Sequence, residues 1–152
     1  YSEVNLEFEN PPGKEELNQM LAKESGYIRN WALEMIRKYE KGERILTSYP
    51  YPVQFWQMGD QSVVALGGEP VVDYAIRLKK IFGSGLFVMG YSNDVMAYIP
   101  TVDILREGGY EGHTSQMAFG LPAKWKESIE PLIMGEVLKL SKEIGITIPD
   151  SK

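Results

Sequence analysis

Residues 62–90 place the tightest constraint on how this chain folds. Ser62-Val63-Val64-Ala65-Leu66 is a short apolar run that ends in Gly67-Gly68. A helical pattern follows from Pro70 to Phe82, with Pro in its first turn. Val72, Ala75, Ile76 and Lys79 give that helix one mostly apolar face. Gly83-Ser84-Gly85 stops it, and Leu86 to Met89 reads as a second short buried strand. A strand–helix–strand unit is right-handed and pairs its strands in parallel. Its two strand ends, at Gly67 and Gly90, then open on the same sheet edge, where α/β proteins usually bind ligands. Glu69 sits at that edge.

The flanking sequence supplies a sheet partner and helices. Val53 to Met58 and Ser62 to Leu66 read as a hairpin around Gly59-Asp60, with Gly at a positive-φ position. Tyr49-Pro50-Tyr51-Pro52 is an extended entry, because proline biases its predecessor away from helix. Residues 1–13 are either a short edge strand or an extended tail; Val4, Leu6 and Phe8 alternate as a strand does. Lys14 to Ser25 reads as a short helix interrupted by Gly26. Ile28, Trp31, Ala32, Met35, Ile36 and Tyr39 define an amphipathic helix ended by Gly42. Ala97 to Thr101 is another short extended piece. Residues 106–122 show no period and read as a long loop, a kind that is often functional. A last helix starts near Ser128 and lines Ile129, Ile133, Val137, Leu140 and Ile144 along one face. The expected fold is α/β: a mixed sheet containing the strand–helix–strand unit, with flanking amphipathic helices.

The 152 residues fit one domain with a real core, and 43% hydrophobic with 24% charged residues is an ordinary globular balance. A net charge of -5 argues against nucleic acid as a partner. The chain has no cysteine, hence no disulfide, thiol nucleophile or thiolate zinc site. No apolar run approaches the ~20 residues of a membrane helix. The chain begins at Tyr1 in mid-pattern, which reads as a fragment or a processed product.

Few residues offer chemistry. Locally, Glu69 reads as a helix-start carboxylate that favours the helix dipole. Gly67-Gly68 is an alternative phosphate cradle, although its spacing matches no nucleotide fingerprint. His113 is the only histidine, and a catalytic zinc site wants about three protein ligands. It reads as a hydrogen-bonding loop residue; a triad with Ser92 or Ser115 is formally open, without a G-x-S-x-G elbow. Tyr91, Tyr98 and Tyr110 cluster after the second strand, either as packing residues or as donors to an oxyanion or a metal. Asn93 and Asp94 have the character of turn formers.

Three segments in order resemble the neutral, non-lysosomal ceramidase family over roughly residues 49–125. Tyr51-Pro52-Val53-Gln54 through Gly59-Asp60 to Gly68-Glu69 is similar to that family's strand pair ending in a Gly-Glu turn. Gly90-Tyr91-Ser92-Asn93, followed by Tyr98-Ile99-Pro100-Thr101, resembles its G-x-x-N-x-Y-x-x-Y-x-T-T stretch. Gly109-Tyr110-Glu111-Gly112 is similar to the Tyr-Glu-Gly block that comes next, and Arg77-Leu78 stands where the family has an Arg-Leu pair. The chain departs from the family pattern in places: Pro70-Val71-Val72 replaces a Phe-Thr run, Val95 replaces a tyrosine, Pro100 replaces a threonine, and the connection from Glu69 to Tyr98 is shorter than is typical.

The resemblance implies the C-terminal portion of a zinc-dependent catalytic domain that hydrolyses an amide bond in an N-acyl sphingosine-like lipid. Glu69 and Tyr98 fall on metal-ligand positions, with the family's histidine ligands upstream of this chain. Tyr110 is expected as a catalytic hydrogen-bond donor and Asn93 as a substrate contact. The implied location is secreted or periplasmic. A non-catalytic α/β binding module with a degenerate site, or a hydrolase of the same fold acting on a different amide or ester, are the alternatives.

Overall fold

The computed structural model describes residues 1–146 and 148. Among them the chain forms six α-helices, a four-stranded mixed sheet and a two-stranded parallel sheet. The larger sheet has the order β1 (Ser2–Glu7), β2 (Ser48–Met58), β3 (Gln61–Leu66) and β5 (Phe87–Met89). The smaller sheet pairs β4 (Glu69–Pro70) with β6 (Tyr98–Ile99). Residues 1–13 thus begin with an edge strand, which pairs antiparallel with β2.

β2 serves two neighbours in succession. Its residues Ser48 to Val53 pair with β1, and Val53 to Met58 pair with β3. This division explains how Pro50 and Pro52 are tolerated in an inner strand, where a missing N–H normally breaks the ladder. Backbone polar groups of residues i and i+2 point to the same side of a strand. The Pro52 carbonyl accepts from the Gly67 N–H, beyond the end of β3. Both prolines therefore turn away from β1, and no β1 ladder bond is lost.

β3 and β5 pair in parallel, Val63 with Phe87 and Ala65 with Met89, and α3 (Val72–Phe82) crosses between them. The expected helix start at Pro70 is displaced: Glu69 and Pro70 are strand residues, and helix begins at Val72. The buried stripe of α3 also differs from expectation. Tyr74 and Leu78 are its buried residues and Phe82 packs edge-on against Phe55, whereas Val72 and Ile76 are exposed. An i, i+4, i+8 row with two aromatic ends fills the space above the sheet better than the β-branched pair does.

The core lies between one sheet face and the helices α3 and α6 (Ile129–Glu143). Tyr51, Val53, Val64, Leu66, Ile133 and Val137 are fully buried there. Ile144, expected on the buried face of the last helix, lies past its end and is half exposed. The opposite sheet face is open and apolar, with Trp56, Met58, Phe87 and Met89 all exposed. A second cluster of Leu17, Trp31, Ala32 and Met35 holds α1 (Lys14–Lys23) against α2 (Gly26–Lys41). Gly42 takes the left-handed conformation that closes α2, as its position suggests.

The long loop expected over residues 106–122 is largely helical. It contains the end of α4 (Val102–Glu107), a π-helical turn (Tyr110–Thr114) and α5 (Ser115–Ala118). Elements of four to six residues are too short to display a 3.6-residue period, so composition hides them. Among the described residues no helix is long and apolar enough to cross a membrane.

Candidate functional site

The short β4–β6 sheet brings together residues 29 positions apart. Glu69 and Tyr98 are register partners, as are Pro70 and Ile99. The Glu69 N–H donates to the Ala97 carbonyl at 2.8 Å and the Val71 N–H to the Ile99 carbonyl at 3.1 Å. In a parallel pair, side chains at matching register positions emerge on the same face. The carboxylate of Glu69 and the phenol of Tyr98 therefore share one surface.

The glycines before Glu69 are there for close approach. A Cβ on Gly68 would lie 2.7 Å from the Ala97 carbonyl oxygen, and its φ of 61° favours glycine independently. The Gly68 N–H donates to the Asp94 carbonyl at 2.7 Å and the Gly67 N–H to Pro52. Neither amide is left to cradle a phosphate. The Gly67 carbonyl accepts from the buried Tyr51 hydroxyl at 2.8 Å. Gly90 is packed against the ring of Pro70, where a Cβ would meet Cδ at 2.9 Å.

Gly90 leads into an unusual backbone. Tyr91 and Asn93 both have positive φ, 53° and 69°. Asn tolerates this conformation; an aromatic residue adopts it under strain, and such residues gather at functional sites. The turn is tied down by Tyr91 N–H to the Gly68 carbonyl and Ser92 N–H to the Leu66 carbonyl. It is also held at Asp94, whose carboxylate accepts from the Tyr49 hydroxyl at 2.7 Å.

Two phenols, those of Tyr91 and Tyr98, lie beside the Glu69 carboxylate. Hydrogen bonding with Glu69 pushes the Tyr91 phenol up to about 12, with desolvation adding to it. Desolvation and then Glu69 raise Tyr98, with smaller repulsion from Tyr110 and Glu111. A neighbouring carboxylate disfavours phenolate, so both phenols stay protonated here. Tyr110 stands edge-on to Tyr98, with ring centroids 5.6 Å apart and an interplanar angle of 73°. The π-helical turn that carries Tyr110 is pressed onto α4 through Gly112, where a Cβ would lie 2.3 Å from the Ile104 carbonyl oxygen. Trp125 anchors β6 from behind, its indole N–H donating to the Tyr98 carbonyl at 3.0 Å.

Of the residues singled out from sequence, Glu69, Tyr98 and Tyr110 come together. Asn93 lines an adjoining apolar trough on the open sheet face, with Trp56, Met58, Met89 and Ser92. His113 does not join them. It lines a separate cleft with Glu9, Asn10, Trp31 and Lys124. Ser92 donates to the Gly90 carbonyl at 3.1 Å, and Ser115 is fully buried at the start of α5. The local reading of Glu69 as a helix-start carboxylate fails, because it lies in β4 and three residues before helix. Tyr91 is the partner that sequence reasoning left unassigned; its signal was a tyrosine directly after a strand-ending glycine.

An oxygen-rich pair of one carboxylate and one phenol suits part of a zinc site, since carboxylate is a regular zinc ligand and a bound cation lowers the pKa of a coordinating phenol. Among the described residues no group of three or more His, Cys, Asp or Glu is placed to hold a metal ion. Comparison with protein-family models, with curated proteins and with solved structures gives no match.

Proposed function

We propose that this chain forms one wall of a zinc-dependent amidohydrolase site of the ceramidase type, with its histidine wall supplied by sequence upstream of Tyr1. The observation that carries this reading is the register pairing of Glu69 with Tyr98. The resemblance puts metal ligands at these two positions from motif order alone, and they meet on one face of a two-residue ladder. Glu69 and Tyr98 would hold the metal. A bound zinc ion supplies a Lewis acid for an amide carbonyl and lowers the pKa of water to around 7. Tyr91 lies beside the Glu69 carboxylate, which keeps its phenol protonated. Tyr110, fixed edge-on to Tyr98, is a donor available to a developing oxyanion. The apolar trough beside Ser92 and Asn93 favours a substrate with a hydrocarbon portion, such as an N-acyl lipid of the sphingosine class. The exported location implied by the family belongs to the same proposal.

The test is metal analysis and amide hydrolysis by the protein carrying its upstream sequence. Bound zinc with chelator-sensitive cleavage of an N-acyl sphingosine supports the reading. Bound zinc with cleavage of only other amides or esters overturns the substrate and keeps the chemistry. A protein that binds no zinc and cleaves nothing in such a panel is a binding module.

A further inference from the structure

The ladder that pairs Glu69 with Tyr98 is too short to hold itself. β4 and β6 contribute two residues each, and even a full two-stranded ribbon is marginal in water. Each strand, however, runs almost directly into a helix: β4 into α3 and β6 into α4. The spacing of the pair therefore depends on how those helices are held.

Both helices converge on one buried carboxylate. Arg77 of α3 forms an ion pair with Glu130 of α6 and a second, at 3.0 Å, with Asp103 of α4. The other carboxylate oxygen of Glu130 accepts the N–H of Val102, the first residue of α4, at 2.8 Å. Glu130 is only 7% exposed. One turn earlier on α3, the buried Tyr74 hydroxyl donates to the Pro100 carbonyl at 3.1 Å, just after β6. Exposed ion pairs hold little. A buried carboxylate with both oxygens engaged is different, because removing a partner strands an uncompensated charge.

We infer that Arg77 and Glu130 are positioning residues that clamp α3 to α4 and thereby hold Glu69 beside Tyr98. The clamp stands on contacts alone; its consequence for metal binding rests on the zinc reading above.

Amide hydrogen exchange on the protein with its upstream sequence tests the clamp. Glu69 and Val71 donate the β4–β6 bonds, so their exchange reports on this ladder. Arg77→Met should accelerate both by roughly tenfold or more relative to the β2–β3 ladder. Arg77→Lys should recover part of the protection. If Arg77→Met does not fold, Glu130→Gln, which keeps an acceptor for Val102, is read in its place. Equal acceleration across both sheets, or none, overturns the clamp. In the same variants zinc affinity should fall roughly 10- to 100-fold, the range for lost supporting partners of a metal site. Unchanged zinc affinity overturns the functional half. A wild-type protein that binds no zinc, with exchange behaving as expected, sinks the zinc reading and leaves the clamp standing.

Discussion

Glu69 and Tyr98 face each other across a ladder of two residues per strand, brought there by a crossover helix and a strained turn. Their pairing gives the first prediction. On the zinc reading proposed above, Glu69→Ala and Tyr98→Phe should each lower the zinc content, measured by atomic absorption, of the protein that carries the proposed upstream histidines. Tyr91→Phe, which removes a hydroxyl beside the carboxylate and leaves both proposed ligands in place, should weaken zinc affinity without abolishing binding.

Gly68 controls how closely β4 approaches the segment before β6. Gly68→Ala forces a Cβ to within 2.7 Å of the Ala97 carbonyl oxygen at a φ of 61°. Chemical denaturation should show a loss of more than about 1 kcal/mol, because neither the conformation nor the space accepts a side chain.

Gly135 is the opposite case. It lies inside α6, is exposed, and has nothing within 4 Å of its Cβ position. Gly135→Ala should stabilise the protein by about 0.5–1 kcal/mol through helix propensity and reduced unfolded-state freedom, read from the denaturation midpoint.

His113 predicts the response to acid. Burial, and secondarily the Lys124 charge, hold its imidazole below the ordinary value. The unfolded chain then takes up a proton near pH ~6.5 while the folded chain resists until its lower pKa. Stability should be full above the unfolded value, fall as pH drops through it, and level off below the folded value. His113→Gln should flatten the difference between denaturation midpoints measured at about pH 7.5 and about pH 5.5.

Where the sequence carries a long period or a paired turn signal, it was readable. The β3–α3–β5 unit, the Gly59-Asp60 hairpin, α2 with its closing Gly42 and the long α6 all follow from local pattern. The β4–β6 ladder does not. Two-residue strands have no alternation to detect, and nothing local to Glu69 says that Tyr98 lies beside it. The ceramidase resemblance assigned the two positions a shared role only as an expectation. The helical turns between Arg106 and Pro122 were hidden for a related reason, since Gly108, Gly109 and Gly112 look like loop residues. Gly112 is instead where two backbones touch. The α3 stripe was misread because Val72 and Ile76 are apolar yet exposed, and Tyr74 counts as core only once its hydroxyl finds Pro100.

The placement of the α1–α2 pair has an architectural consequence. Glu7 and Ser48 are register partners in β1 and β2, and the Phe8 N–H donates to the Thr47 carbonyl at 3.0 Å. The chain thus leaves the sheet and returns to it at a single point, with the helical hairpin as an excursion in between. Lengthening or shortening that excursion does not alter the β1–β2 alignment. It is tied to the rest by the Trp31 indole N–H, which donates to the Leu121 carbonyl at 2.7 Å, by Met117 packed on its apolar cluster, and by the Glu9 N–H bonded to the Lys124 carbonyl at 2.8 Å. The hairpin is thus an insertion whose two ends the sheet itself holds side by side.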